Sequence, residues 1–416
     1  MTGSGWALSR ARRGGGRRYT EAMLAALLIL LAPPSFAAGA RVPPPRLAPP
    51  AVALGPEAAG KAPAVAALDD QALADFIEAR SVSERRRRLD LFQAKMRKAA
   101  ASDFAFYRAF PDLFYDLLAR SPEADAVRAS PEVLADGDGH AQNVEVVELE
   151  GRPLPQFNDF DDAGKAPAAL DMARTLGAAA VLGHSDDERR ALAAEAKAAY
   201  LDSLALSFDQ WRRKAAEEAA VKTGPVETKH WREHGGAPVT DKALAAKLFA
   251  LAGLDPDKWV LLDRAGAGLS SIGLRRYLFA HRKKDHAREL KELRAPAVAV
   301  FTGDAPVKQG PRVAQAYARL REVPVDLTTA EGLGAEWMLR RREAEARSLN
   351  LEHPRSTARV LGGLLAQVHR AQTDAAALER AMRGLSERSA AGWLAAMGRM
   401  REGLARLLSA GRWDRG

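Results

Sequence analysis

Three acidic or amide side chains recur at fixed spacing in the first half of this 416-residue chain. Gly137-Asp138-Gly139-His140-Ala141-Gln142-Asn143 sets an aspartate and an asparagine on one glycine-bounded loop, Asn158-Asp159-Phe160-Asp161 follows, and Asp171-Met172-Ala173 comes next. Phosphoryl transfer is mostly positioning and charge neutralisation. It needs a carboxylate beside the acceptor hydroxyl, and oxygen ligands that hold magnesium against nucleotide phosphates. Asp138, Asn143 and Asp159 meet that need, whereas a polar, solvated turn is the plainer alternative. Far downstream, Gly268-Leu269-Ser270-Ser271-Ile272-Gly273 could let backbone amides approach phosphates, and Lys291 could neutralise them. Those six residues could equally be only a turn.

Other sets carry less. His230 and His234 flank Glu233, but the metalloprotease pattern wants glutamate directly after the first histidine and Trp231 stands there. Ser270-Ser271 lacks the Gly-x-Ser-x-Gly context of a hydrolase nucleophile. The run Arg85-Arg86-Arg87-Arg88 reads as a solvated helix face, and Arg340 to Arg342 with Glu343 and Glu345 as another.

The elements that must position these residues point to a helix-rich α+β fold. Apolar residues recur at helical spacing from Leu68 to Arg120 with a break near Ala101-Ser102, and Phe104, Phe106, Phe110, Phe114 and Tyr115 supply core bulk. Residues 144–150 and 153–160 read as two strands turned at Glu150-Gly151-Arg152, a hairpin that carries Asp159 back toward Asp138. A long helix is expected from Ser185, which caps the Glu188 amide while Glu188 returns the bond, to about Ala220. Glycine turns and short apolar runs such as Trp259 to Leu262 and Val298 to Phe301 suggest a smaller, sheet-containing lobe over 255–330. From Thr357 the pattern is helical again.

The first 40 residues differ. Five arginines between Arg10 and Arg18 precede an apolar run of 11 residues, Ala22 to Ala32, and then a small-residue stretch ending Ala37-Ala38-Gly39-Ala40. That run is about half of the roughly 20 residues a spanning helix needs. The expectation is therefore a cleaved export signal over 1–37, not a permanent membrane anchor, with a Pro/Ala-rich linker over 38–66 and one domain over 67–416. Arg17-Arg18 admits a twin-arginine leader, and a start at Met23 would make the product cytoplasmic. The five leader arginines, less Glu21, supply four of the nine excess positive charges. No basic stripe interleaved with aromatics remains to suggest nucleic acid. Without cysteine the chain can form neither disulfides nor thiolate metal sites.

The acidic loop resembles that of the aminoglycoside phosphotransferase and choline kinase group, His-Gly-Asp-x-His-x-x-Asn followed by a metal-binding Ile-Asp-Phe or Ile-Asp-Trp. By that resemblance Asp138 is the catalytic aspartate, with His140 in the same motif. Asn143 and Asp159, with Asp161 beside it, are metal ligands, and Asp171 is a buried brace; Asp136 replaces the leading histidine. A wider resemblance is to the bacterial family called domain of unknown function 2252. Its pattern is similar to Lys95-Met96, Ser102 to Ala109, 137–143, Asn158 to Asp161, Gly268 to Tyr277, Lys291-Glu292 and Leu364 to His369, with Ala109 and Ser270 replacing glycines. The resemblance implies a kinase-like, two-lobed fold. Kinases place the glycine loop and lysine before the acidic loop, so the order here implies a permuted small lobe unless the glycines are a turn. The implied ligands are Mg2+ and ATP or another nucleotide, held in part by Gly268, Ser270, Ser271, Gly273 and Lys291, with an unidentified hydroxyl-bearing acceptor. Nucleotidyl transfer is a variation on the same fold. A silent kinase-like binding protein of the cell envelope is the main alternative, and a purely structural envelope protein comes last.

Overall fold

Small side chains let the helices of this protein touch backbone to backbone. In the computed structural model, which describes residues 66–221, 231, 235–284, 286–305, 308–342 and 347–414, the helix Ala168–Ala180 is buried along its whole length. Its residues are mostly small or apolar, and its charged side chains, Asp171 and Arg174, are bonded within the core. Tyr107 closes over Gly177, where an added Cβ would lie 2.7 Å from the phenol oxygen. The helices Asp186–Leu204 and Pro354–Arg370 meet at Gly362, whose Cβ would fall 1.9 Å from the Ala196 carbonyl. Together with Glu387–Ser409 these helices form the main core, and Phe92, Phe106, Phe114 and Trp393 fill it. Burying each such side chain stabilises by about 1.5–3 kcal/mol. The described residues belong to one compact unit.

The expected long helix after Ser185 is two. Asp186–Leu204 ends, and Phe208–Glu218 restarts behind a complete Ser207/Gln210 capping box. Ser185 does accept the Glu188 amide at 3.2 Å, but Glu188 returns its bond to the amide of His184, not of Ser185. The leader, most of the linker, His230, Glu233, His234, Glu343 and Glu345 lie outside the described residues. Among the described residues no helix is long and apolar enough to cross a membrane.

Within the helical part, β1 (Glu132–Ala135), β2 (Val144–Leu149), β3 (Arg152–Phe157) and β4 (Gly164–Pro167) make small antiparallel pairings: β1 with β4, and β2 with β3. The β2–β3 hairpin turns at Glu150 and Gly151, both at positive φ. A separate six-stranded sheet contains β5 (Ala237–Pro238), β6 (Trp259–Asp263), β7 (Arg276–His281), β8 (Ala287–Glu292), β9 (Leu327–Gly332) and β10 (Ala335–Arg342) in the order β5-β6-β7-β8-β10-β9. It starts before and ends after the expected span of 255–330. A short β11 (Arg347–Ser348) returns to pair with β2.

Alternation along these strands gives the sheet two unlike faces. Leu261, Tyr277, Phe279, Leu290, Trp337 and Leu339 pack against Leu248 of the helix Lys242–Ala252. On the other face Arg276 pairs with Lys291 in register, and Arg340 with Glu289. Two expectations fail here. Val298 to Phe301 lies on a short helix, Ala299–Thr302, because a four-residue apolar run fits either structure. Arg340 to Arg342 end a strand, and Arg340 is buried. Nor do the arginines after Ser83 only face solvent: Arg87 reaches Glu292 at 3.0 Å and Arg88 reaches Asp263 at 3.4 Å, both on the sheet.

Candidate active site

The acidic loop leaves β1 at Ala135 and is fixed from beneath by Asp171, in the first turn of the buried helix. Its carboxylate accepts the amides of Asp136 at 2.8 Å and Gly137 at 3.0 Å. His369 contacts it through Nε2 at 3.2 Å, and Tyr200 in turn contacts His369 Nδ1 at 2.9 Å. Gly137 is required: its φ is 79°, and a Cβ would stand 1.9 Å from the Asp162 carbonyl. Asp136, where the resemblance has histidine, accepts the Asp138 amide at 3.2 Å. Burial, then the charges of Asp171 and Asp138, push its carboxyl well above the ordinary range.

Asp138 is nearly buried and held on both oxygens. Arg174 donates to Oδ1 from Nη2 at 2.7 Å and from Nε at 3.2 Å, while Asn143 approaches Oδ2 at 3.4 Å. His140 accepts the amides of Gln142 and Asn143 on Nδ1, each at 3.2 Å, so its proton sits on Nε2, which faces Asp138 at 3.5 Å. Burial raises the Asp138 pKa, but His140 and Arg174 outweigh it and hold the group below the usual range. His140 itself is pushed down, by burial first, and stays neutral more readily than a free imidazole.

Asp159 and Asp161 follow β3 on a segment seated by the sheet and by the helix Gln309–Leu320: Arg340 of β10 donates to the Asn158 carbonyl at 2.7 Å and Tyr317 of the helix at 3.0 Å. Lys291, on β8 and 1% exposed, contacts Asp159 at 3.3 Å and also pairs with Asp161. The two carboxylates respond differently. Against burial, Lys291, Arg340 and Arg276 hold Asp159 far below the normal range, while burial and then Asp159 raise Asp161. The Asp161 Oδ1 is buried with no hydrogen-bond partner among the described residues. Behind Lys291, Glu289 is ion-paired to Arg276 at 2.6 Å and Arg340 at 3.2 Å.

Asp138, Asn143, Asp159, Asp161, Ser270 and Ser271 line one narrow cleft with room for about one water molecule. Gly268 and Gly273, both at positive φ, bend the β6–β7 loop but do not line the cleft. His140 is buried within the acidic loop and does not line the cleft. The β6–β7 loop is tied by Arg276 to the Ala267 carbonyl at 3.0 Å and by Lys95 to the Ser270 carbonyl at 2.9 Å. Among the described residues no three His, Asp or Glu side chains form a ready metal cage. The buried, unpartnered Asp161 oxygen and the sharing of one ammonium by two carboxylates nonetheless fit a group that brings positive charge.

Residues 87–246 match the model of a family described as an uncharacterized protein conserved in bacteria, DUF2252. The matched span carries Asp138, Asn143, Asp159 and Asp161, and it stops before the glycine loop and Lys291. No curated protein and no solved structure matches the chain.

Two cations at this site, and Arg108 outside its lining, escaped the reading of the sequence. Arg174 had a usable signal, since it lies three residues after Asp171 and so shares its helix face. Arg294, 3.6 Å from Asp162, had none. Arg108, on the helix Asp103–Ala109, belongs to the motif Ser102 to Ala109 but drew no role from it.

Proposed function

We propose that the cleft is a magnesium-dependent phosphoryl-transfer site that takes a nucleoside triphosphate as donor and a hydroxyl as acceptor. The observation that carries this reading is the meeting of two distant segments: Asp138, Asn143, Asp159 and Asp161 from the helical part, and Ser270, Ser271 and Lys291 from the sheet. Strand, glycine loop, strand and lysine-bearing strand follow one another as β6, loop, β7 and β8, the arrangement a kinase uses over its nucleotide. This is a fold-level analogy, with the small lobe permuted behind the acidic loop. Asn143, Asp159 and Asp161 would hold Mg2+, which neutralises phosphate charge when bound. Asp138, kept ionised by Arg174, orients the acceptor hydroxyl and takes its proton. Lys291 neutralises donor phosphates, and the loop amides from Gly268 to Ile272, uncommitted among the described residues, can donate to them.

The cleft as it stands admits about one water, so donor entry requires the β6–β7 loop to lift and the Lys95 contact to Ser270 to open. A silent binding protein is the second reading, favoured by the Arg174 ion pair that occupies Asp138. One experiment separates them. Thermal shift with ATP or GTP, with and without Mg2+, is followed by transfer of γ-phosphate label to protein, water or added polyols. Stabilisation with transfer supports the first reading and stabilisation alone the second. No shift with any nucleoside triphosphate overturns the proposal. Asp159→Asn should abolish the Mg2+-dependent part of the shift.

A further inference from the structure

Three more residues line the cleft besides those already placed there: Asp162, Leu274 and Arg294. Four carboxylates, of Asp138, Asp159, Asp161 and Asp162, therefore share the lining with a single cation among the described residues, Arg294. Lys291 is shared by Asp159 and Asp161 and does not line the space, and Arg174, paired with Asp138, is wholly buried. The first positive group of this chain that an incoming anion meets is the guanidinium of Arg294.

Arg294 is held firmly at its root and loosely at its tip. It follows β8, where the Leu293 amide donates to the Glu336 carbonyl at 2.9 Å and the Arg294 carbonyl accepts Arg312 Nη2 at 3.1 Å. Its side chain is 26% exposed, and Nη2 stands 3.6 Å from Asp162 Oδ2. That is long against the roughly 2.7–2.9 Å of a charge-assisted hydrogen bond. Asp162 has a second partner, the Ala297 amide, which donates to Oδ1 at 2.9 Å. Burial raises the Asp162 pKa and Arg294 opposes the rise, so the carboxyl can take a proton when the arginine turns away. A planar guanidinium on a long, partly exposed arm can meet two oxygens of a phosphate at once.

We infer that Arg294 is the oxyanion receptor of this cleft, exchanging Asp162 for a phosphate-like group of the bound ligand. This deepens the proposed function by naming the residue that recognises the anion, and it rests on that reading only for the source of the oxyanion. Two sources share the chemistry: the phosphoryl group of the donor, or an anionic group carried by the acceptor next to its hydroxyl.

The test uses the purified full chain and inorganic phosphate as the probe, at constant ionic strength. Phosphate should raise the wild-type melting temperature, and Arg294→Gln should weaken its binding about tenfold or more, with Arg294→Lys in between. Asp162→Asn keeps an acceptor for the Ala297 amide but removes the charge that holds the arginine back. It should tighten phosphate binding about threefold or more, and lose that gain when combined with Arg294→Gln. If saturating Mg2+-ATP excludes phosphate, the oxyanion is the donor's; if phosphate still binds over Mg2+-ATP, it is the acceptor's. Equal phosphate binding in wild type and a folded Arg294→Gln, no phosphate binding by wild type, or an equal gain from Asp162→Asn in both backgrounds overturns the inference. Arg294-dependent phosphate binding with no nucleotide shift in wild type would sink the kinase-like reading alone. A nucleotide shift with phosphate binding indifferent to Arg294 would sink this inference alone.

Discussion

The loop of Asp138 and the loop of Ser270 face one cleft but are held in unlike ways. The first rests on groups sealed in the core: Asp171 and His369 are wholly buried, and Tyr115 donates to the Gly137 carbonyl at 2.7 Å. The second is held by the buried Lys95, which donates to the Ser270 carbonyl, while the strands that flank it are tied to the helices through partly exposed pairs of Arg87 with Glu292 and Arg88 with Asp263. Buried acceptors of backbone amides are expensive to lose, whereas ion pairs at a wet seam contribute little each. The cleft therefore has a fixed wall and a releasable one, as a site that must admit a bulky donor requires.

The largest expected effect tests the fixed wall. Asp171→Ala removes the acceptor of two loop amides and the partner of His369, and should cost about 3–5 kcal/mol of unfolding free energy in urea. Arg87→Ala, which breaks a link to Glu292, should cost about 1 kcal/mol or less. Similar losses for the two variants would erase the distinction between the walls.

Two glycines sharpen the comparison at smaller scale. Gly137 and Gly268 have nearly equal φ, 79° and 75°, so the backbone strain of a side chain is similar at both. Their surroundings differ. A Cβ on Gly137 meets a backbone carbonyl at 1.9 Å, while one on Gly268 meets the movable ends of Ser271 and Arg276 at 2.7 and 2.8 Å. Gly137→Ala should cost about 3 kcal/mol and Gly268→Ala about 1 kcal/mol, read from denaturation midpoints at constant slope. Reversal of that order would mean the glycine loop is the more rigid of the two.

The same contrast explains what the sequence could reveal. The acidic loop and its hairpin were legible because glycines bound the loop and valines flank a Glu150-Gly151 turn, all within about 25 residues. The helix-rich α+β class followed from periodicity. The charged inner face of the sheet was not legible, since Arg276, Glu289 and Arg340 find one another only through strand register, the partners standing 13 and 51 positions apart in the sequence. Arg174 reads as a surface residue until the helix around it is known to be buried. The break between Leu204 and Phe208 was missed because alanine-rich flanks keep helical spacing on both sides of it.

The smallest effect separates the two regions by the sign of their pH response. Asp136, in the fixed wall, has its folded pKa raised by burial and by Asp171 and Asp138, so the native state binds its proton more tightly than the unfolded chain does. Its favourable share of stability is present below the unfolded value and is lost as pH rises through the folded one. Glu289, in the sheet, runs the other way: Arg276, Arg342 and Arg340 overcome burial and hold its folded pKa well below 4.5. That contribution is present above the unfolded value and is lost as pH falls through the folded one. Asp136→Asn replaces a protonated acid by a neutral isostere that can still accept the Asp138 amide. It should match wild type at acid pH and gain on it progressively toward alkaline pH, whereas Glu289→Gln should fall behind wild type most at neutral pH and least in acid. Urea midpoints across pH 2 to 9 decide the matter, and a constant offset for Asp136→Asn would mean that Asp136 is ionised in the native loop.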